Sequence, residues 1–552
     1  MIADIHITEK SFGDKTLMKD VKFSVDDGEK VGVVGRNGVG KSTLFGILSG
    51  KDTDYTGEVI FRRGITVATT AQEHHGLGNQ TVMSYILGGL PEYSKLKKII
   101  DEYPLTMGDN MRKIEEYTQA LERFDQKGFY QVEEKIEREL SNFQLDGFGD
   151  RKISSLSGGQ KRLVEIVKIM HSEAHLALID EPTNHMDYVA KQQFIDWMNS
   201  QPHQAMLIIT HDRDVLGQVD RIVEIKDGQA VSYRGNYDAY LKQNAQATTA
   251  GMNNFEQIEK RIVNLKQKVL DYQRLKEKSR NPGTIQKFKR LENEARAELA
   301  ELSEMEKPTF WIDKESASQL DYKSAERYGK FKSRNIRLSM KDASSRSQHV
   351  LVRAENVAVG TGERILFEDV NIDLREGEAI EIRGRNGAGK TTLIRMILAS
   401  GKSFDGGPVL YSGDIFLDPQ VRIGVYEQEI DERYLSDPLE KAIEKLYMSR
   451  DLSISDTKIR QLLADYLFTD ADRMTPLARL SGGQKARFQI IAMLANDPQL
   501  LVLDEPTNHL DLPSIEELET ALAKYSGAIL YVSHDNYFRE KLGGKVVQIG
   551  AE

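Results

Sequence analysis

Cysteine is absent from all 552 residues. Disulfides and thiolate-ligated zinc are therefore excluded. Long apolar runs are absent too, and none approaches the roughly 20 residues that span a bilayer. The first residues, MIADIHITEKSFGDK, have no basic stretch followed by an apolar one, so no signal peptide is expected. Positive charge is in deficit: 75 Lys and Arg against 85 Asp and Glu give a net charge of -10. That argues against a surface coated by nucleic acid, while leaving room for a local basic element. The rest is an ordinary profile, 39% apolar and 29% charged. A cytoplasmic location is expected, with no membrane partner, and the length suggests about three or four domains.

What the chain has is repetition. SGGQKRLVEIVKIMHSEAHLALIDEPTNHMD, from Ser157 to Asp187, returns from Ser481 as SGGQKARFQIIAMLANDPQLLVLDEPTNHLD. GRNGVGKST, from Gly35 to Thr43, returns from Gly384 to Thr392 as GRNGAGKTT. The first copy is longer between these motifs, and its surplus lies between Gln72 and Ser157. The extra piece, about 93–140, is rich in Lys, Glu and helix formers and reads as a helical arm. The expected division is a first domain over 1–240, a linker over 241–348 and a second domain over 349–552.

GxxxxGK[ST] is a phosphate-binding loop. Its glycines let backbone N–H groups turn towards phosphates where side chains would clash. Gly35, Arg36, Asn37, Gly38, Gly40, Lys41, Ser42 and Thr43 form one candidate ATP loop. Gly384, Arg385, Asn386, Gly387, Gly389, Lys390, Thr391 and Thr392 form the other. Lys41 and Lys390 supply charge to the phosphates, and Ser42 and Thr391 offer hydroxyls to Mg²⁺. Each loop follows a short apolar strand and opens a helix, the context the motif requires. LALIDE and LLVLDE read as buried strands ending in acid pairs. Asp180 and Asp504 are candidate Mg²⁺ ligands, and Glu181 and Glu505 candidates to orient or deprotonate the attacking water. An acid pair after a strand is otherwise most often a helix cap. His211 and His534 follow further strands at matching places and suggest γ-phosphate sensors, although a lone His is usually structural. Gln72 and Gln428 are weaker candidates for contact with Mg²⁺ or the water.

Between the repeats, Phe255, Ile258, Ile262, Leu265, Val269 and Tyr272 recur at spacings of three and four. SRNPGT at 279–284 signals a turn, and Phe288, Leu291, Ala295, Leu299 and Leu302 resume the stripe. The expectation is an antiparallel helical hairpin over about 252–306. From Lys260 to Arg290 there are eleven Lys or Arg and two acids. Such a run is either a solvated helix face or, given its contrast with the acidic chain, a polyanion contact. Lys276, Lys278, Arg280, Lys287, Lys289 and Arg290 are the candidate RNA contacts. The basic segment 321–341 is open between RNA contact and linker.

The LSGGQ phrases, with Ser157, Gly158, Gly159 and Gln160 in the first copy and Ser481, Gly482, Gly483 and Gln484 in the second, resemble the signature of ATP-binding-cassette ATPases. The whole arrangement resembles their ABC-F subfamily: an α/β chain of two tandem cassettes joined by an α-helical hairpin. The resemblance implies two composite ATPase sites. Lys41 would work with Ser481 and Gly483, and Lys390 with Ser157 and Gly159, within a monomer. It implies an adenine-stacking aromatic at Phe12; the second copy has none near Thr361, which implies unequal sites. It further implies a translation factor that binds the tRNA exit site of the ribosome and directs its hairpin towards P-site tRNA and the peptidyl-transferase centre. The alternatives are ribosome protection against antibiotics in the same subfamily, the tandem ATPase of a small-molecule importer, and a DNA-repair or chromosome ATPase. The short tip, Lys278 to Lys287, leans towards a translation factor.

Overall fold

A computed structural model of the chain describes residues 1–550 apart from 14, 71–78, 109, 185, 306–307, 309, 319, 321, 339–348, 363, 403–406 and 428–429. The described residues fall into two compact units, 1–237 with 336–552, and 238–335.

The first unit holds both repeats. Among the described residues each repeat contains an antiparallel sheet and a largely or wholly parallel one. In the first repeat the antiparallel sheet is made of Ala3–Phe12, Lys15–Val25 and Thr56–Phe61. Ile5 and Ile7 are buried and His6 and Thr8 exposed, the alternation of a sheet with one wet face. The second sheet runs Val67–Thr69, Leu176–Asp180, Ala205–Ile209, Lys30–Gly35, Arg221–Lys226, Gln229–Arg234. Its strands are parallel except the last pair. LALID and AMLII are buried at every residue, as strands covered on both faces must be. The second repeat has Val350–Thr361, Arg364–Arg375 and Val409–Leu417, beside a parallel sheet ordered Ile423–Tyr426, Leu500–Asp504, Ala528–Val532, Ala379–Arg383, Lys545–Gln548. In both repeats the phosphate-loop strand lies in the sheet beside the strand that leads to the histidine, and the acid-pair strand lies next to that one. All three chemical motifs therefore leave the sheet at adjoining strand ends.

The extra piece of the first repeat contains the helices Tyr93–Thr106 and Met111–Gln126, rooted in the ring cluster of Tyr93, Phe124 and Phe129. The following helix, Val132–Asn142, buries Val132, Ile136 and Leu140 in the main helical core.

The second unit is built on the helices Tyr237–Lys278 and Pro282–Glu304. Asn281 caps the second by accepting from the Gly283 N–H at 2.9 Å, and Pro282 occupies its first turn, where a missing N–H costs nothing. Leu265, Val269 and Ala295 are buried between the helices with Tyr272, Leu299 and Leu302 against them, and Tyr272 stacks on Phe288. The first helix is longer than its apolar stripe and runs through Gly251. A Cβ at Gly251 would lie 2.7 Å from the Phe310 ring, so the glycine admits a close neighbour rather than breaking the helix. Met252, Ile312, Tyr328 and Phe331 make a small core at this end. Part of the basic segment, Tyr322–Phe331, is thus a helix with a buried face.

Candidate active sites

Each phosphate loop is shaped by glycines that only they can be. Gly38 and Gly40 have φ of +83° and +103°, and Gly387 and Gly389 have +79° and +98°. At Gly38 and Gly387 nothing lies within 4 Å of where a Cβ would be, so the concave side of each loop is open for a phosphate. Lys41 and Lys390 are buried, and each ammonium donates to carbonyls of its own loop: Gly35 at 2.6 Å, and Gly384 and Arg385 at 2.9 and 3.0 Å. Burial lowers the pKa of both. The Ser42 hydroxyl donates to Asp180 at 3.2 Å and the Thr391 hydroxyl to Asp504 at 2.8 Å.

Glu181 and Glu505 follow these aspartates in left-handed backbone, φ +47° and +51°. Their N–H groups continue the sheet by bonding Ile209 and Val532, while the side chains turn towards the histidines. Glu181 lies 3.5 Å from His211, and Glu505 3.3 Å from His534. Burial, then Asp180, pushes the Glu181 carboxyl up to about 8; burial pushes Glu505 up to about 7. Burial, then the loop lysines, lowers both histidines to about 3, so they are neutral near pH 7. One Glu505 carboxylate oxygen is buried without a hydrogen-bond donor. A buried carboxyl oxygen without a donor suits a base that meets its water only with substrate.

The signatures open helices by reciprocal capping. Ser157 accepts from the Gln160 N–H and Gln160 accepts from the Ser157 N–H; Ser481 and Gln484 do the same. Phosphate loop and signature meet across the repeats. The Asn37 N–H donates to Asp511 at 3.1 Å, and its amide donates to the His509 carbonyl at 2.9 Å. A Cβ at Gly483 would lie 2.0 Å from that amide, so the Lys41 loop sits directly on the second signature. In the other direction the Asn386 N–H donates to Asp187 at 3.0 Å. There a cavity of about 1070 Å³ is lined by Ser157, Gly159, Lys390, Thr391, Glu505 and His534 among others. Asp187 and Asp511 are thus further site residues, outside the candidate set above. Their signal was in the sequence, as the final letter of the phrases NHMD and NHLD, and each also caps the helix that follows.

Phe12 ends its strand opposite Lys15, and Thr361 ends its strand opposite Arg364. The two thus occupy equivalent hairpin ends, and Phe12 is 57% exposed. Gln72 and Gln428 lie outside the described residues. Among the described residues no group of three or more His, Cys, Asp or Glu side chains is arranged to hold an ion. One carboxylate and one hydroxyl per site fit Mg²⁺ that arrives with a nucleotide and keeps several waters.

At the hairpin tip Lys278, Arg280, Lys287 and Lys289 are exposed. Lys276 is engaged by Glu292 at 2.6 Å and Arg290 by Glu294 at 2.8 Å. Five acids follow between Leu291 and Glu304, so positive charge is concentrated at the tip.

A family model described as ABC transporter matches residues 18–184 and 367–508, one stretch per repeat. The chain belongs to the ATP-binding-cassette family. Within it the chain is of the ABC-F type, and its two cassettes bind ATP, which cassettes of this family hydrolyse. It is 30% identical to the putative ATP-binding protein YdiF of Bacillus subtilis, over 100% of this chain and 80% of that one. It is 28% identical to the energy-dependent translational throttle protein EttA of Mycobacterium tuberculosis, over 96% and 88%. The solved complex of the archaeal ribosomal stalk protein aP1 with the ribosome recycling factor aABCE1 has the same fold at a TM-score of 0.59 and 17% identity, covering 99% and 87%. Among the described residues no helix of this cassette protein is long and apolar enough to cross a membrane.

Proposed function

We propose that this protein is an ATP-driven translation factor whose two cassettes close on ATP at two composite sites and release on hydrolysis. The observation that carries the composite sites is reciprocal: Asn37 is held by Asp511, and Asn386 by Asp187. Each phosphate loop thus depends on the other cassette for its backbone position. In this reading Lys41 and Lys390 leave their own loop carbonyls for the β- and γ-phosphates. Ser481 and Gly483 face the nucleotide on Lys41, and Ser157 and Gly159 the one on Lys390. Mg²⁺, when bound by Ser42 and Asp180 or Thr391 and Asp504, neutralises phosphate charge. Glu181 and Glu505 accept the proton of the attacking water, and the neutral histidines orient the γ-phosphate. Phe12 stacks on the base in the first site.

The partner is the ribosome, met through rRNA and P-site tRNA, and the place of action is the cytoplasm. Support comes from the cationic tip, since phosphate neutralisation dominates RNA affinity, and from a relative described as a translational throttle. The test is sedimentation of the Glu181→Gln, Glu505→Gln double variant with ribosomes in ATP. Stable co-sedimentation that ADP does not support is expected; a variant that stays free of ribosomes sinks the reading.

A further inference from the structure

The two histidine loops are joined by contacts that the cassettes do not supply equally. Lys191 sits one turn into the helix Tyr188–Ser200 of the first cassette and is 4% exposed. Its ammonium donates to the backbone carbonyl of His534, in the second cassette, at 2.9 Å. It also lies 2.5 Å from Asp214 and 3.4 Å from Asp212, the residue after His211. Asn536, two residues beyond His534, donates to the same Asp214 carboxylate at 2.8 Å. The second copy has no such lysine. The repeat that sets Asp187 against Asp511 sets Lys191 against Ile515, and the one that sets His211 against His534 sets Asp214 against Tyr537.

A buried ammonium persists only where carboxylates compensate it, and here two do. A carbonyl gripped by a charged, immobile donor fixes its own peptide plane, and with it the histidine ring on the same residue. That ring lies 3.3 Å from Glu505. We infer that Lys191 of the first cassette is a positioning residue for His534, so that turnover on Lys390 depends on a cationic clamp that the site on Lys41 lacks. This rests on the composite-site reading above, and it adds a dependence that the signatures do not explain. It also makes the two sites unequal for a reason separate from Phe12 and Thr361.

The test uses the full chain in two backgrounds: Glu181→Gln, in which only the Lys390 site turns over, and Glu505→Gln, in which only the Lys41 site does. Lys191→Met keeps the length of the side chain and removes the donor. In the first background kcat is expected to fall about tenfold, the worth of one charge-assisted hydrogen bond, with KM changed less than about twofold. In the second background kcat is expected to fall several-fold less, because Lys191 meets the carboxylates of Asp212 and Asp214 and not the backbone of His211. Glu519→Gln is the control for a merely weakened interface, because it breaks the neighbouring buried pair with Arg213, on the His211 loop, and leaves every contact of Lys191 in place. It should not reproduce a loss selective for the Lys390 site. Equal losses in both backgrounds, a loss confined to KM, or a selective loss reproduced by Glu519→Gln would each overturn the inference. Ser157→Phe in the first background separates the two ideas. If it leaves turnover intact, the composite-site reading fails, whereas an unselective Lys191→Met with Ser157→Phe inactive fails the clamp alone.

Discussion

Glu181 shows how a single residue carries chemistry that its letter alone does not convey. Its pKa moves from 4.5 to about 8, by burial first and by Asp180 second. The unfolded chain ionises near 4.5, while the fold keeps the proton up to about 8. The associated stability is therefore complete below 4.5 and is lost as pH rises through 8. Glutamine is neutral throughout, so the gain in Tm of Glu181→Gln over its parent should grow between about pH 5 and pH 8. A gain that is the same at both ends would place the carboxylate in water. The same substitution should lower hydrolysis at its site on the order of 10²-fold or more, as loss of a general base does, while nucleotide binding measured with a fluorescent analogue persists. At this scale the acid pair was legible because the phrase containing it occurs twice. The left-handed backbone that aims Glu181 at His211 was not legible, since it follows from the N–H of Glu181 bonding Ile209 on the neighbouring strand. Lys191 was invisible for a related reason: its partners lie on another loop and on the other cassette.

Among the elements, the hairpin gave itself away through period and punctuation. A stripe at spacings of three and four, a Pro-Gly turn and a second stripe are local signals, and Leu265, Val269 and Ala295 are where they meet. The start of its first helix was not legible, because Gly251 reads as a weak point until Phe310 is seen against it. The basic run was legible only as a total. Its division into an unpaired tip and paired flanks depends on Glu292 and Glu294 reaching Lys276 and Arg290. This division yields a prediction. Reversing Lys278, Arg280, Lys287 and Lys289 together to Glu should abolish ribosome binding at physiological salt. Replacing them with Gln should flatten the dependence of log affinity on log salt by about three, at roughly 0.7 to 0.9 per phosphate contact. Charge removal at Lys276 and Arg290 should change that slope little, since their charge is already met. Equal slopes for the two sets would mean that the tip cations do not meet phosphates.

At the scale of the molecule the duplication was legible at once, and with it the parallel sheets that present both sets of motifs. What repetition hides is inequality. The Lys41 loop rests on the second signature, with Asn37 touching the carbonyl of His509 and crowding Gly483. The Lys390 loop borders a cavity of about 1070 Å³ shared with the first signature. Gln484 is further held by Asp472 at 2.7 Å, and the first copy has Phe148 at that position. A bulky residue in either signature should therefore act across the molecule and unequally. With Glu505→Gln isolating the Lys41 site, Ser481→Phe should reduce single-turnover phosphate release on the order of 10²-fold, as loss of a positioning contact can. With Glu181→Gln isolating the Lys390 site, Ser157→Phe should still reduce release at least about tenfold, though less than Ser481→Phe does in its background, because that side of the interface borders the cavity. The decisive comparison exchanges the backgrounds. If the Lys390 site draws on the first signature, as proposed, Ser481→Phe should leave release there largely intact. A Ser481→Phe loss that follows Lys390 instead of Lys41 would mean each signature serves its own cassette, and the contacts of Asn37 and Asn386 would then be packing alone.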